Sequence, residues 1–235
     1  MFELEDLGGL NHVSEDLESL VLGQTKGRAH SLSFLQSFPR LKTLYVERHT
    51  KDLDVIGSLP QLEDLTLRSI TLPDLSILRP LKRLHSLDIK LGGTSKLDLL
   101  PRIGRLRYVE LWMIRGLTDL APIASIRTLQ YLFLQALRNV NVLPSFARLR
   151  RLRRLHLETM KGLTDLRPAA KAPALEELVA VDMRHLEAEA FRPFKRSRTL
   201  RKAKVGLGSN RKDKAVADLL GLPTVDEKFT FEERE

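Results

Sequence analysis

The chain repeats one short pattern of apolar and polar positions almost from end to end. Leu-x-x-Leu-x-Leu or a close variant starts at Leu17, Leu41, Leu62, Leu84, Leu106, Leu129, Leu152, Leu175 and Leu200. The starts are 21 to 25 residues apart. Chance leucine richness does not hold so even a pitch over nine units. Within each unit the last four positions alternate apolar and polar, which predicts a strand with one apolar face. A lone strand cannot bury that face. Stacking the units as parallel strands gives one continuous leucine core and pairs the backbones.

The remainder of each unit has to return the chain across that core. Residues 116–128 (GLTDLAPIASIRT) and 162–174 (GLTDLRPAAKAPA) are two such segments. In the first, Leu117, Leu120, Ile123 and Ile126 are expected to point inward. Asp119-Leu-Ala-Pro and Asp165-Leu-Arg-Pro predict short turns or 3₁₀ pieces, because proline stops a longer helix. The fold class expected is a single curved α/β solenoid with a parallel sheet on its concave face. The array covers 17–206, residues 1–16 form an N-terminal cap, and 207–235 supply a capping helix and a charged tail. Asn210 is expected to cap that helix, Gly221 to stop it, and Val216, Leu219 and Leu220 to share its buried face. The tail from Val225 to Glu235 is expected to be mobile.

These units resemble those of the leucine-rich-repeat family, and most closely the short repeats of bacterial, internalin-like members, whose return segments carry a similar LTDLxPL motif. The resemblance covers roughly 17–206. It implies recognition of a partner, with the partner's identity left open. One position departs from the family. Where Asn or Cys is usual, this chain has Thr25, His49, Ile70, Gly92, Ile114, Leu137, Met160, Met183 and Gly208. Apolar packing is expected to replace a polar ladder in most units.

Composition narrows the chemistry. Apolar residues make up 43%, which argues against wholesale disorder, and the absence of cysteine removes disulfide frameworks and cysteine zinc sites. The acidic first residues lack the basic start of a secretory signal, and no apolar run is long enough to span a bilayer. A cytoplasmic setting and a monomer are expected. The six histidines, His12, His30, His49, His85, His156 and His185, are scattered, and no HExxH or GxSxG pattern occurs. Gly206-Leu-Gly208 with Arg211 and Lys212 lacks phosphate-loop spacing and reads as a cap junction. No catalytic residues, metal or cofactor are expected.

Function is therefore sought on the outward side chains of the strands. The only Trp and all three Tyr fall there. Tyr45, Asp88, Tyr108, Glu110, Trp112, Tyr131, Phe133 and His156 form the candidate surface for a protein partner, with an exposed aromatic cluster at its centre. The plainer alternative is that aromatics simply pair well across strands. Asp88 and Glu110 should be lateral neighbours, neutralised by Arg68 and Lys90 or else awaiting a basic group on a partner. A net charge of +9 and the arginines Arg105, Arg107, Arg127, Arg150, Arg151 and Arg153 suggest a basic rim. Nucleic acid bound there is the alternative partner class. By family analogy the role is that of an adaptor or an immunity-type inhibitor.

Overall fold

The computed structural model describes residues 9–10, 14–25 and 29–232. Nine strands form one parallel sheet in chain order: β1 (Ser19–Leu22), β2 (Thr43–Glu47), β3 (Asp64–Arg68), β4 (Ser86–Lys90), β5 (Tyr108–Trp112), β6 (Tyr131–Gln135), β7 (Arg154–Glu158), β8 (Glu177–Val181) and β9 (Lys202–Gly206). The register is in phase throughout. Leu44, Leu65, Leu87, Val109, Leu132, Leu155 and Leu178 lie side by side, as do Val46, Leu67, Ile89, Leu111, Leu134, Leu157 and Ala180. These two columns point inward and belong to one core running the length of the array. In phase, every inward residue meets its repeat equivalent, so a slip by one residue would turn both columns to solvent.

The return segments are short 3₁₀ pieces, as the prolines require. Several begin with the same device: an aspartate carboxylate accepts from the backbone N–H two residues on. Asp74 does so from Ser76 at 2.7 Å, Asp119 from Ala121 at 2.7 Å and Asp165 from Arg167 at 2.9 Å. Leu117, Leu120, Ile123 and Ile126 all point into the core.

The missing Asn ladder is replaced by a backbone solution. The residue after seven strands is left-handed: Arg48, Ser69, Leu91, Met113, Ala136, Thr159 and Asp182, with φ between 50° and 63°. In six of them the N–H donates to the carbonyl of the next strand's last residue, as from Ser69 to Lys90 at 2.8 Å and Met113 to Gln135 at 2.9 Å. That bond extends the parallel ladder by one step, and the left-handed turn swings the following side chain inward. Ile70, Ile114, Leu137, Met160 and Met183 consequently sit in the core. Each such residue costs about 1–2 kcal/mol in backbone strain, which the ladder bond and the apolar burial offset. His49 is the polar exception, with Nδ1 accepting from His30 N–H and Nε2 facing Gly23 O, both at 3.2 Å.

Gly104 marks a crossing between units that combines a close approach with a left-handed backbone. Its φ is +47°, and a Cβ there would lie 2.3 Å from the Leu84 carbonyl oxygen. Gly104→Ala should lower stability by at least about 2 kcal/mol, from left-handed strain plus a backbone collision. Urea unfolding measures this, and an unchanged midpoint would mean that the crossing relaxes freely.

The expected N-terminal cap lies largely outside the described residues. At the other end, a 3₁₀ segment, Ala188–Arg196, buries Phe191 and Phe194, and helix α1 (Asn210–Leu220) packs against it. Val216 is buried, and Leu219 and Leu220 pack on the core, as the pattern requires. The cap is shifted by one residue from the expectation. Ser209, with extended backbone, holds the N-cap position and Asn210 is already helical. Asp213 instead accepts from Leu207 N–H at 2.6 Å, tying the helix to the last strand. Gly221 ends the helix at φ 63°. No helix among the described residues is long and apolar enough to cross a membrane.

The tail departs most from expectation. Residues 222–232 fold back over the sheet, from β9 towards β5, as a strap across the leading ends of the strands. Pro223 O accepts from Ala203 N–H at 2.9 Å, Lys202 pairs with Asp226, and Phe231 packs edge-on to Tyr108, with centroids 6.4 Å apart. The sequence reads as mobile because the segment has no periodicity. It is held by single well-placed groups.

Candidate binding face

The outward residues form three columns, set by the strand register. The first runs Ser19, Thr43, Asp64, Ser86, Tyr108, Tyr131, Arg154, Glu177 and Lys202. The second contains Tyr45, Thr66, Asp88, Glu110, Phe133 and His156, and the third Glu47, Arg68, Lys90, Trp112, Gln135 and Glu158. Every candidate partner-binding residue thus lies on one face. They are not uniformly exposed, however. Glu110 is buried and the others are half-buried.

The first column is the one the strap covers. Arg154 is 3% exposed and carries the main load. Its Nε donates to Glu177 at 2.5 Å, and its Nη2 donates to the carbonyl of Asp226 at 2.8 Å. Longer bonds of 3.4 Å reach the carbonyls of Glu227 and Lys228. Phe229 sits edge-on to Tyr131, centroids 5.3 Å apart, beneath the guanidinium groups of Arg153 and Arg154. Arg153 holds Glu176 at 2.8 Å and donates to Thr230 O at 3.1 Å. The Gln130 amide pairs with both backbone groups of Glu232, each at 2.8 Å. The central aromatic cluster is therefore split. Tyr108 and Tyr131, 4.9 Å apart edge-to-face, lie against the strap, whereas Trp112 and Phe133 lie beyond its contacts.

Asp88 and Glu110 are neighbours, as the pattern requires, and Lys90 bridges them at 3.2 and 2.9 Å. Tyr108 OH also donates to Glu110 at 2.9 Å. Burial dominates this cluster. It pushes the Asp88 carboxyl up to about 6 despite Lys90, and one Asp88 oxygen has no partner. Burial also raises the Tyr108 phenol. Arg68, the other neutralising candidate, lies 3.3 Å from Glu47 and spreads over Trp112, 5.4 Å from the ring centroid. The Arg68 Nε nevertheless lacks good hydrogen-bond geometry, so the ring contact is its better-formed interaction. His156 stacks flat on Phe133 at 3.9 Å. Burial, with Arg154 and Lys204 nearby, lowers its pKa to about 4. Its 3.4 Å approach to Glu158 is therefore that of a neutral ring, not an ion pair.

Asp88 and His156 should oppose one another in acid. The native state holds the Asp88 proton up to about pH 6, against 3.8 for the free group. Ionising Asp88 therefore removes stability as pH rises through that window. The unfolded state holds the His156 proton up to 6.5, against about 4 when folded, so stability is lost as pH falls through that window. Each effect is worth roughly 3 kcal/mol if fully expressed. Asp88→Asn should leave a decline towards pH 4 that the unaltered chain largely lacks, and His156→Phe a rise. Urea midpoints from pH 4 to 7 measure both. Parallel profiles for all three proteins would remove this assignment.

The rim arginines do not form one stripe. Immediately before the strands the column runs Glu18, Lys42, Glu63, His85, Arg107, Gln130, Arg153, Glu176 and Arg201, joined by backbone bonds from unit to unit. Acidic residues thus interleave with the basic ones. Arg153 is engaged by Glu176 and the strap, and Arg107 lines a cavity of about 380 Å³ with Asp64, His85, Ser86, Tyr108, Tyr131, Phe229 and Phe231. Arg105, Arg127, Arg150 and Arg151 lie farther out and are exposed. Among the described residues no cluster of three or more His, Asp or Glu could hold a metal ion. Sequence reasoning missed Gln130. It places Arg154 and Glu177 in the outward column beside Tyr108 and Tyr131, but gives neither a role.

No family model and no curated protein matches the sequence. Among solved structures, the chain is similar to an internalin (InlF) of Listeria monocytogenes, with a TM-score of 0.62 at 17% identity. That match covers 97% of this chain and 72% of the internalin. It is also similar to a leucine-rich-repeat protein of Leptospira interrogans, with a TM-score of 0.52 at 15% identity, over 90% of this chain and 61% of the other. The fold is that of a leucine-rich-repeat solenoid, with an open nine-stranded parallel sheet.

Proposed function

We propose that the chain is a non-enzymatic recognition module that holds a partner protein against its concave sheet. The observation that carries this reading is the outer two columns of β2 to β7. There, large rings and desolvated ionic groups stand outward on a rigid sheet, already held in place by one another. Arg68 steadies Trp112, His156 stacks on Phe133, and Gln135 donates to Glu158 at 2.7 Å. Little ordering opposes binding to such a surface, and rings flanked by polar groups are the residues on which protein interfaces depend. This suits an adaptor or an inhibitor that acts as a monomer.

Affinity capture from the native host tests the reading. Trp112→Ala with Phe133→Ala should abolish recovery of the partner protein, whereas Val142→Ser on a return segment should not. Val142 is 71% exposed and lies outside the sheet. Equal recovery by all three would overturn the concave-face reading. A steep salt dependence together with loss on Arg127→Glu plus Arg150→Glu would identify nucleic acid as the partner instead.

A further inference from the structure

We infer that the first column of the sheet is a peptide-binding site, and that the strap occupies it in place of a segment from the partner. This rests on the recognition reading above and names the chemistry of the segment: two aromatic residues two positions apart, followed by an acid.

The groove grips main chain more than side chains. Arg153, Arg154 and Gln130 direct five hydrogen bonds at strap carbonyls, and Gln130 accepts one from a strap N–H. The strap bends at Glu227 and Lys228, which turns three successive carbonyls towards Arg154. A grip on main chain of this kind asks for a backbone that can make that bend rather than for particular side chains there. Selection falls to the aromatic ledge. Tyr131 and Tyr108 receive Phe229 and Phe231, which also meet edge-to-face at 4.9 Å. Glu232 then lies 3.6 Å from Arg153. The receiving groups do not depend on the strap for their placement. Glu176 and Glu177 hold the two arginines from the sheet itself.

Only the start of the strap packs inward, with Leu222 on the core and Val225 buried; Asp226 to Glu232 are not among the core residues. Helix α1 and the segment Ala188–Arg196 already cover the last unit. Phe231 remains 38% exposed, so one of the two anchors is only partly engaged. The groove also continues past it into the cavity lined by Asp64, His85, Ser86 and Arg107. A partner segment can follow the strap's path and make further contacts towards β3 and β4. A site closed by its own chain binds more weakly in proportion to the fraction of time it is open. The strap therefore sets the threshold for the partner.

The test uses a fluorescein-labelled peptide of residues 225–235 and measures its anisotropy against the full-length chain. Phe229→Ser with Phe231→Ser loosens the strap and touches no core leucine. That variant should bind the peptide about tenfold more tightly than the unaltered chain. Serine at both phenylalanines of the peptide should remove binding, as should Tyr131→Ala added to the variant. A protease site inserted between Thr224 and Val225, cut after folding, frees the strap by a second route and should give the same gain. Three outcomes overturn the inference: no saturable binding by either form, equal binding by the unaltered and loosened chains, or indifference to the peptide's aromatics. A dimer of the unaltered chain that the peptide disperses would also overturn it, because the occupant would then be a second copy's tail. If the peptide fails while capture still depends on Trp112 and Phe133, the recognition reading stands and only this inference falls.

Discussion

Arg154→Ala should destabilise the chain by about 3–5 kcal/mol and free the strap in the same step. The guanidinium is almost wholly buried between Glu177, three strap carbonyls and the Tyr131 ring. Removing it strands a carboxylate whose side chain is only 15% exposed, and leaves the strap carbonyls without their donors. Breaking one side of a buried pair is far more costly than removing both. Arg154→Leu combined with Glu177→Leu should therefore be much milder than either single change, although it too releases the strap. Urea unfolding measures stability, and amide exchange at Glu232, whose N–H donates to Gln130, reports the strap. A single variant no worse than the double would show that the pair is not coupled as described.

Phe146→Ala should cost a similar amount, about 3–5 kcal/mol, by a different mechanism. Phe146 is fully buried in the return segment between β6 and β7, and its N–H donates to Pro168 O in the next unit at 3.1 Å. The cavity would open at the middle of the array. Each unit of a solenoid is stabilised mainly by its two neighbours, so a defect there weakens two interfaces at once. The two halves should then unfold less cooperatively, and the denaturant dependence should become shallower as well as shifted. Phe231→Ala, at the surface, should leave the midpoint nearly unchanged. A Phe146→Ala transition as steep as that of the unaltered chain would mean that the array unfolds as one block regardless.

The same contrast explains which parts of the site were legible. Asp88, Glu110 and Lys90 were recognisable as neighbours because alternate residues share a face and equal repeat positions share a column. Their burial was not, since it depends on how closely Tyr108 and Thr66 crowd the carboxylates. The neutralising role of Lys90 followed from position. Arg68, one strand earlier, turned to Glu47 and Trp112 instead, because its side chain reaches both. The rim arginines look like a stripe when the basic runs are read alone, but the acids that separate them, Glu18, Glu63 and Glu176, stand at the same position of the repeat as Arg107 and Arg153.

The repeat pitch alone established the strands, their parallel order, the inward leucines and the residues that face outward. These are consequences of period-2 alternation and of the need for each unit to bury its apolar face on the next, both of which are local. The tertiary structure decided the rest. The left-handed turns at Ser69 or Met113 fall on residues with no such preference, and are tolerated because a ladder bond and a buried neighbour hold them. The strap joins residues 72 to 102 positions apart, Asp226 to Arg154 and Glu232 to Gln130. Such contacts have no repeat equivalent to announce them. They arise because folding brings a few unpaired donors and two tyrosines to the edge of the sheet, within reach of a tail that can satisfy them.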